Sequence, residues 1–196
     1  SSNYDNIYLF DKDSSTPLWS YEISDLVFSV SISADGEYIV ASSRDNKVYL
    51  FDKDSSTPLW SYTTGGTINS IAISADGEYI TVGADDDALI HKVYLFDKDS
   101  NDPLWSYTTG GTVYSVSISA DGEYIAAASD EKVYLFDRDS STPLWSYNIG
   151  DYVYSVAISA DGEHITAGTG GNDDKVYLFD KDSSTPLWSY ATGSNV

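Results

Sequence analysis

The chain contains no cysteine and no methionine, two histidines, and 10 basic residues against 31 acidic ones, a formal net charge of -21 over 196 residues. Without cysteine there are no disulfides and no thiolate metal sites, and the redox compartment is left unmarked. With two histidines a nucleophile–base pair has few ingredients. No G-x-S-x-G, phosphate-binding glycine loop or dinucleotide fingerprint occurs either. So strong a negative charge repels phosphates, which excludes nucleic acid and anionic lipid surfaces as partners. No apolar run approaches the roughly 18 residues of a membrane-spanning helix, so no direct membrane insertion is expected. No basic, apolar, small-residue order marks a signal peptide. The missing methionine reads as a processed or trimmed piece of a longer chain.

What is present is aromatic and repetitive. Tryptophan falls at 19, 60, 105, 145 and 188, each inside a near copy of "KVYLFDKDSSTPLWSY" (47–62). A period of 40–45 residues suits propeller blades or helical repeats. The segments are short, rich in Val, Ile, Tyr, Phe and Thr, and broken by Asp-Gly and Gly-Gly, which selects strands. One unit predicts four of them. Strand a is "TVYSVSIS" (112–119) and strand b "YIAAAS" (124–129), joined by "ADGE", whose Asp-Gly pair suits a tight hairpin. Strand c is "KVYLFD" (132–137). Strand d, "PLWSYN" (143–148), starts on a proline and therefore belongs at the rim. Small residues on a and b with large rings on c and d fit a wedge that widens outward from an axis, with each Trp buried between blades.

Two families are resembled by these residues. Asp52 and Trp60 stand eight positions apart, similar to the quinoprotein (PQQ-type) repeat Asp-x-x-Thr-Gly-x-x-x-Trp, with Ser55-Ser56 where Thr-Gly would be. "ISADGEYI" and "VYLFD" resemble WD40-like repeats, with Phe-Asp in place of Trp-Asp and without the Gly-His of that family. The resemblance covers nearly the whole chain. It implies an all-β fold, a β-propeller of four-stranded antiparallel blades, and leaves the task open. The expectation is one domain over 1–196: a half blade (1–26), then blades at about 27–67, 68–112, 113–152 and 153–196. A ring of five or more blades would follow if a further a–b pair joined the N-terminal half blade.

Differences among the repeats locate the candidate residues. The a–b turn is always "ADGE" and the c–d turn nearly always "DKDSST"; these share one face. The d–a and b–c loops share the other face, and they vary. The binding candidates there are Arg44, Asp85, Asp86, Asp87, His91, Asp151, Tyr152, Asn172, Asp173 and Asp174. Asp52, Asp54 and Ser56 alternate like the first ligands of a calcium loop, but the glycine and bidentate glutamate of an EF-hand are missing. No cofactor is expected, with calcium there as the alternative. His164 replaces the Tyr of other blades (Tyr38, Tyr79, Tyr124) and reads as a substituted strand residue. Together these features suggest a non-catalytic scaffold of a secreted or cell-surface protein. Its partner would be a protein or glycan on the variable face, with self-association a further option. The alternatives are a subunit of an extracellular layer or filament, and a PQQ- or metal-dependent enzyme.

Overall fold

The computed structural model describes residues 5–86 and 90–194. Among the described residues there are 18 strands and no helix, hence none long and apolar enough to cross a membrane. The first two strands, β1 (Asp5–Phe10) and β2 (Pro17–Ile23), pair with each other alone. Four four-stranded antiparallel sheets follow, each running in sequence order. They are β3 (Val27–Ile32), β4 (Tyr38–Ser43), β5 (Lys47–Asp52) and β6 (Trp60–Thr63); then β7 (Gly66–Ile73), β8 (Tyr79–Asp86), β9 (His91–Asp97) and β10 (Trp105–Thr108). The third sheet has β11 (Val113–Ile118), β12 (Tyr124–Ser129), β13 (Lys132–Asp137) and β14 (Trp145–Asn148). The fourth has β15 (Val153–Ile158), β16 (His164–Thr169), β17 (Lys175–Asp180) and β18 (Trp188–Ala191). These are blades of a propeller, as the repeats imply, and they do not close into a ring.

The core lies between blades. Ala126, Ala128, Val133 and Leu135 of one blade pack on Val153, Val156, Ile165, Tyr177 and Phe179 of the next. The outer strands differ from expectation in two ways. In the full blades the last strand starts at the Trp, two residues after the proline, because pairing with the neighbouring strand begins there. The tryptophans are also not the buried rings. The largest fully buried side chains are Phe51, Phe96, Phe136 and Phe179, and each of the first four Trp lies half-buried against one of them with ring centroids 5.3–5.6 Å apart. Its indole N–H then donates to a carbonyl of the next blade's outer turn: Trp19 to Lys53, Trp60 to Lys98, Trp105 to Arg138 and Trp145 to Lys181, each at 2.7 Å. A buried indole needs such an acceptor, so the rim position lets one ring serve both packing and hydrogen bonding.

Face assignments follow the loops. The a–b turns of successive blades are joined by backbone bonds, from Ala34 to Ala75, Ala75 to Ala120 and Ala120 to Ala160. Each c–d turn returns to the a–b turn of its own blade, as from Lys98 N–H to the Glu78 carbonyl. At the opposite end the b–c and d–a loops meet, as from Arg44 N–H to the Leu26 carbonyl.

The a–b turn carries an internal control. Gly36 and Gly122 both have positive φ, 76° and 71°. A Cβ on Gly36 meets nothing, whereas one on Gly122 would fall on the ring of Tyr79 in the preceding blade. Gly36→Ala is expected to cost about 1–2 kcal/mol from backbone strain alone. Gly122→Ala should cost about 1–3 kcal/mol more, from displacement of that ring. Denaturant melts of the two variants check the difference, and equal losses would remove the ring from the account. In the same turn Asp121 accepts hydrogen bonds from Ser119 Oγ and Glu123 N–H, at 2.6 and 3.0 Å. The hydroxyl first, and then the amide, hold its carboxyl below the usual range against the effect of burial. A lowered native pKa gives stability that is present above the unfolded-state value and fades as pH falls through the native one. The melting-temperature gap between wild type and Asp121→Ala should therefore be largest near neutrality and narrow on acidification.

Candidate functional site

Every inner strand breaks register near its start, at the second residue of β3, β11 and β15 and at the fourth of β7. The breaks lie between Val27 and Ser29, Ile68 and Ser70, Val113 and Ser115, and Val153 and Ser155. A bulge leaves one residue out of the ladder and re-aims its side chain. The bulged residues are Phe28, Asn69, Tyr114 and Tyr154, three residue types at four positions whose flanks are nearly constant. The device repeats while the side chain it presents changes, at the end of the strand where the variable loops lie.

On the last two blades the bulges make an aromatic cluster. Tyr114 meets Tyr154 edge-on at 5.4 Å and Tyr152 at 6.3 Å, and Tyr152 and Tyr154 stack at 5.9 Å with an interplanar angle of 12°. Tyr152 and Tyr154 keep much of their surface in solvent. A depression of about 190 Å³ lies alongside, lined by Asp130, Glu131, Gly150, Asp151 and Tyr152. Burial first, and then the charge of Asp130 with its hydrogen bond, push the Tyr114 hydroxyl up to about 12. It therefore stays protonated and donates toward that carboxylate at neutral pH.

Of the aspartates expected to bind a partner, Asp85, Asp151 and Asp173 have their carboxylates engaged by groups of this chain. Asp85 and His91 are not loop residues: β8 and β9 extend so that the two are cross-strand partners. Asp85 Oδ1 contacts His91 Nδ1 at 2.9 Å and accepts Val113 N–H at 3.1 Å, while Oδ2 accepts Asn69 Nδ2 at 2.8 Å. Asp85 thus joins two blades. Asp86 continues β8, and Asp87 lies outside the described residues. Asp151 receives Tyr152 N–H at 2.8 Å on one oxygen, and Asn172 and Asp173 N–H at 2.7 and 3.2 Å on the other. The Asn172 amide, then that of Tyr152, hold its carboxyl below the usual range. Asp173 is opposed by burial, but hydrogen bonds from Lys175, Thr169 and Tyr177 outweigh it and also keep it low. Asp174 takes positive φ, 45°, and its carbonyl accepts from Thr192. Arg44 and Tyr152 are exposed.

The calcium candidates form a turn. Asp52 Oδ1 accepts Asp54 N–H at 2.8 Å, an arrangement repeated from Asp11 to Asp180. Among the described residues no group of three or more His, Asp or Glu side chains is arranged to hold a metal ion.

A surface made by a bulge was missed because a Tyr second in a strand of alternating residues looks ordinary. Comparing the repeats inside strands, as well as in loops, would have singled out Phe28, Asn69, Tyr114 and Tyr154. A family model described as outer membrane protein assembly factor BamB matches residues 3–150 and, in an overlapping second alignment, 74–196. No curated protein matches the chain. Asp151→Ala should speed amide exchange at Tyr152, Asn172 and Asp173 while leaving the amides of β13 protected. Unchanged exchange at those three positions would mean the loops hold without the carboxylate.

Proposed function

The chain belongs to the family of the outer membrane protein assembly factor BamB, a β-propeller repeat family, and from that premise we propose a non-catalytic binding scaffold that holds a protein partner through the variable face. The supporting observation is the tyrosine cluster of Tyr114, Tyr152 and Tyr154 beside the acidic depression of Asp130, Glu131 and Asp151. Rigid aromatic faces offer contact area at small conformational cost, and carboxylates beside them favour Arg or Lys, whose cations also stack on tyrosine. The partner that fits is a protein segment presenting basic and apolar side chains. The scaffold's own charge would speed such an encounter at low salt.

A cell-envelope or cell-surface setting is supported by the family's description, which names an outer-membrane assembly factor. The non-catalytic reading is supported by the use of the two histidines. His91 is bound to Asp85 at one end of the blades, and His164 begins a strand at the other, so neither stands beside a free nucleophile. In this reading the acidic c–d turns keep their carboxylates for the turns, and the protein works without a cofactor.

Photocrosslinking separates the faces. A benzoylphenylalanine at position 152 is expected to capture a discrete envelope protein, and one at Asp54, on the uniform face, is expected to capture none. Tyr154→Ala should reduce the yield at 152 several-fold. Equal capture from both positions, or binding to a glycan array with no protein captured, would overturn the proposal.

A further inference from the structure

The tyrosine of strand c shows how each full blade fills the space around its b–c loop. In the first, the Tyr49 hydroxyl donates to Asp45 Oδ2, and in the fourth, Tyr177 donates to Asp173 Oδ2 at 2.9 Å. In the second, Tyr94 donates to the Thr64 carbonyl at 3.1 Å, and β7 and β8 run on until Gly66 pairs with Asp86. The third blade does neither. Tyr134 donates to the Thr109 carbonyl at 2.8 Å, and the strands stop at the pair of Val113 and Ser129. Its loop, Asp130 and Glu131, therefore borders two depressions. One, of about 280 Å³, also has Thr109, Gly111 and Lys132 in its wall. The other is the depression beside Tyr152. A Cβ on the buried Gly111 would fall 2.8 Å from Asp130 Oδ2, so the glycine makes room for that carboxylate. The Glu131 carbonyl accepts Ile149 N–H at 2.8 Å, which fixes the backbone while the side chain stays exposed.

We propose that the depression beside Tyr152 receives an arginine side chain of the protein partner, its guanidinium lying on the Tyr152 ring and its N–H groups donating to the Glu131 carboxylate. This rests on the binding role proposed above for the variable face, and it names the side chain that the face selects. The rings choose arginine over lysine. Tyr152 and Tyr154 are stacked, 12° from parallel, and Tyr114 meets both edge-on. They touch one another and so enclose no cage around a compact ammonium. Tyr152 keeps 47% of its surface in solvent and lines the depression. A planar guanidinium stacks on such a ring and still presents its fork of donors to a carboxylate.

The charges choose the depression. Among the described residues no side chain pairs with Glu131, so its oxygens are open to a cation. Asp130 is turned to the Tyr114 hydroxyl, and both oxygens of Asp151 are occupied by amides. These two add negative field without giving up their partners. Lys132 stands in the wall of the larger depression and opposes a second cation there. The equivalent loops offer no further copy of the site. Asp45 and Asp173 hold the tyrosine hydroxyls of their own blades, and Asp85 holds His91. One arginine is therefore expected for each chain.

Nuclear magnetic resonance titration of the 196-residue chain with a blocked Ala-Ala-Arg-Ala-Ala peptide at low salt tests it. The expected result is a saturable shift at the amides of Glu131, Gly150 and Tyr152, with the amide of Asp54 on the uniform face unmoved. The lysine counterpart should bind several-fold more weakly. The citrulline counterpart, which has the shape without the charge, should not bind. Glu131→Gln and Tyr152→Leu should each weaken the arginine peptide several-fold. Both side chains are exposed, and unchanged amide positions in β13 verify the fold; if one variant disturbs them, the other decides. Equal affinity for the arginine and lysine peptides, saturation that the intact variants leave unaltered, or shifts spread over the uniform face would each overturn the proposal. Crosslinking from position 152 separates it from the reading beneath. A captured protein with no saturable arginine shift overturns the arginine and leaves the scaffold. A saturable shift with no protein captured keeps the arginine site and overturns the protein partner.

Discussion

The indole N–H that each blade sends to the next blade's outer turn is the constraint on which the architecture depends. A four-stranded sheet with apolar residues on both faces cannot stand alone, and it is stable only when a neighbour covers each side. Phe51, Phe96, Phe136 and Phe179 supply the apolar part of that cover. Apolar packing alone does not choose a register, because the hydrophobic effect is non-directional. A hydrogen bond does choose one. The Trp nitrogen reaches the carbonyl in just one placement of blade upon blade, and the identical 2.7 Å distance at four junctions reflects a single geometry propagated along the chain. The constancy of "DKDSST" follows: the turn must present that carbonyl, and Asp52 and its equivalents fix the turn by accepting an amide two residues on.

The same logic explains which parts of the structure were legible from the amino-acid order. Strand number and the division into two faces are local properties, written in alternation and in Asp-Gly turns, and they were read correctly. The depth of the tryptophans was not, because it is set by the neighbouring blade. Trp145 and Trp188 have nearly the same local sequence, yet one is half-buried and the other exposed. The surroundings of the aspartates were hidden for a related reason. Asp85 and Asp151 stand in segments that vary between repeats and look free in the sequence, but they accept from amides that folding brings from 28 and 21 residues away. Charge and variability are visible in a sequence, whereas the occupancy of a lone pair is not.

Bulge and lock divide the labour of the repeat. The lock must be identical everywhere, since one poor junction interrupts a chain of nearest-neighbour contacts. The bulge has no such duty. Its residue is already outside the ladder, so Phe28, Asn69, Tyr114 and Tyr154 can differ without disturbing any pairing. The Asn69 amide donates to Asp85 and the Val113 carbonyl, while the rings of Tyr114 and Tyr154 pack edge to face on each other. One backbone irregularity thus serves cohesion in one blade and presentation in another. A tandem array can in this way acquire a specific surface while keeping its scaffold uniform.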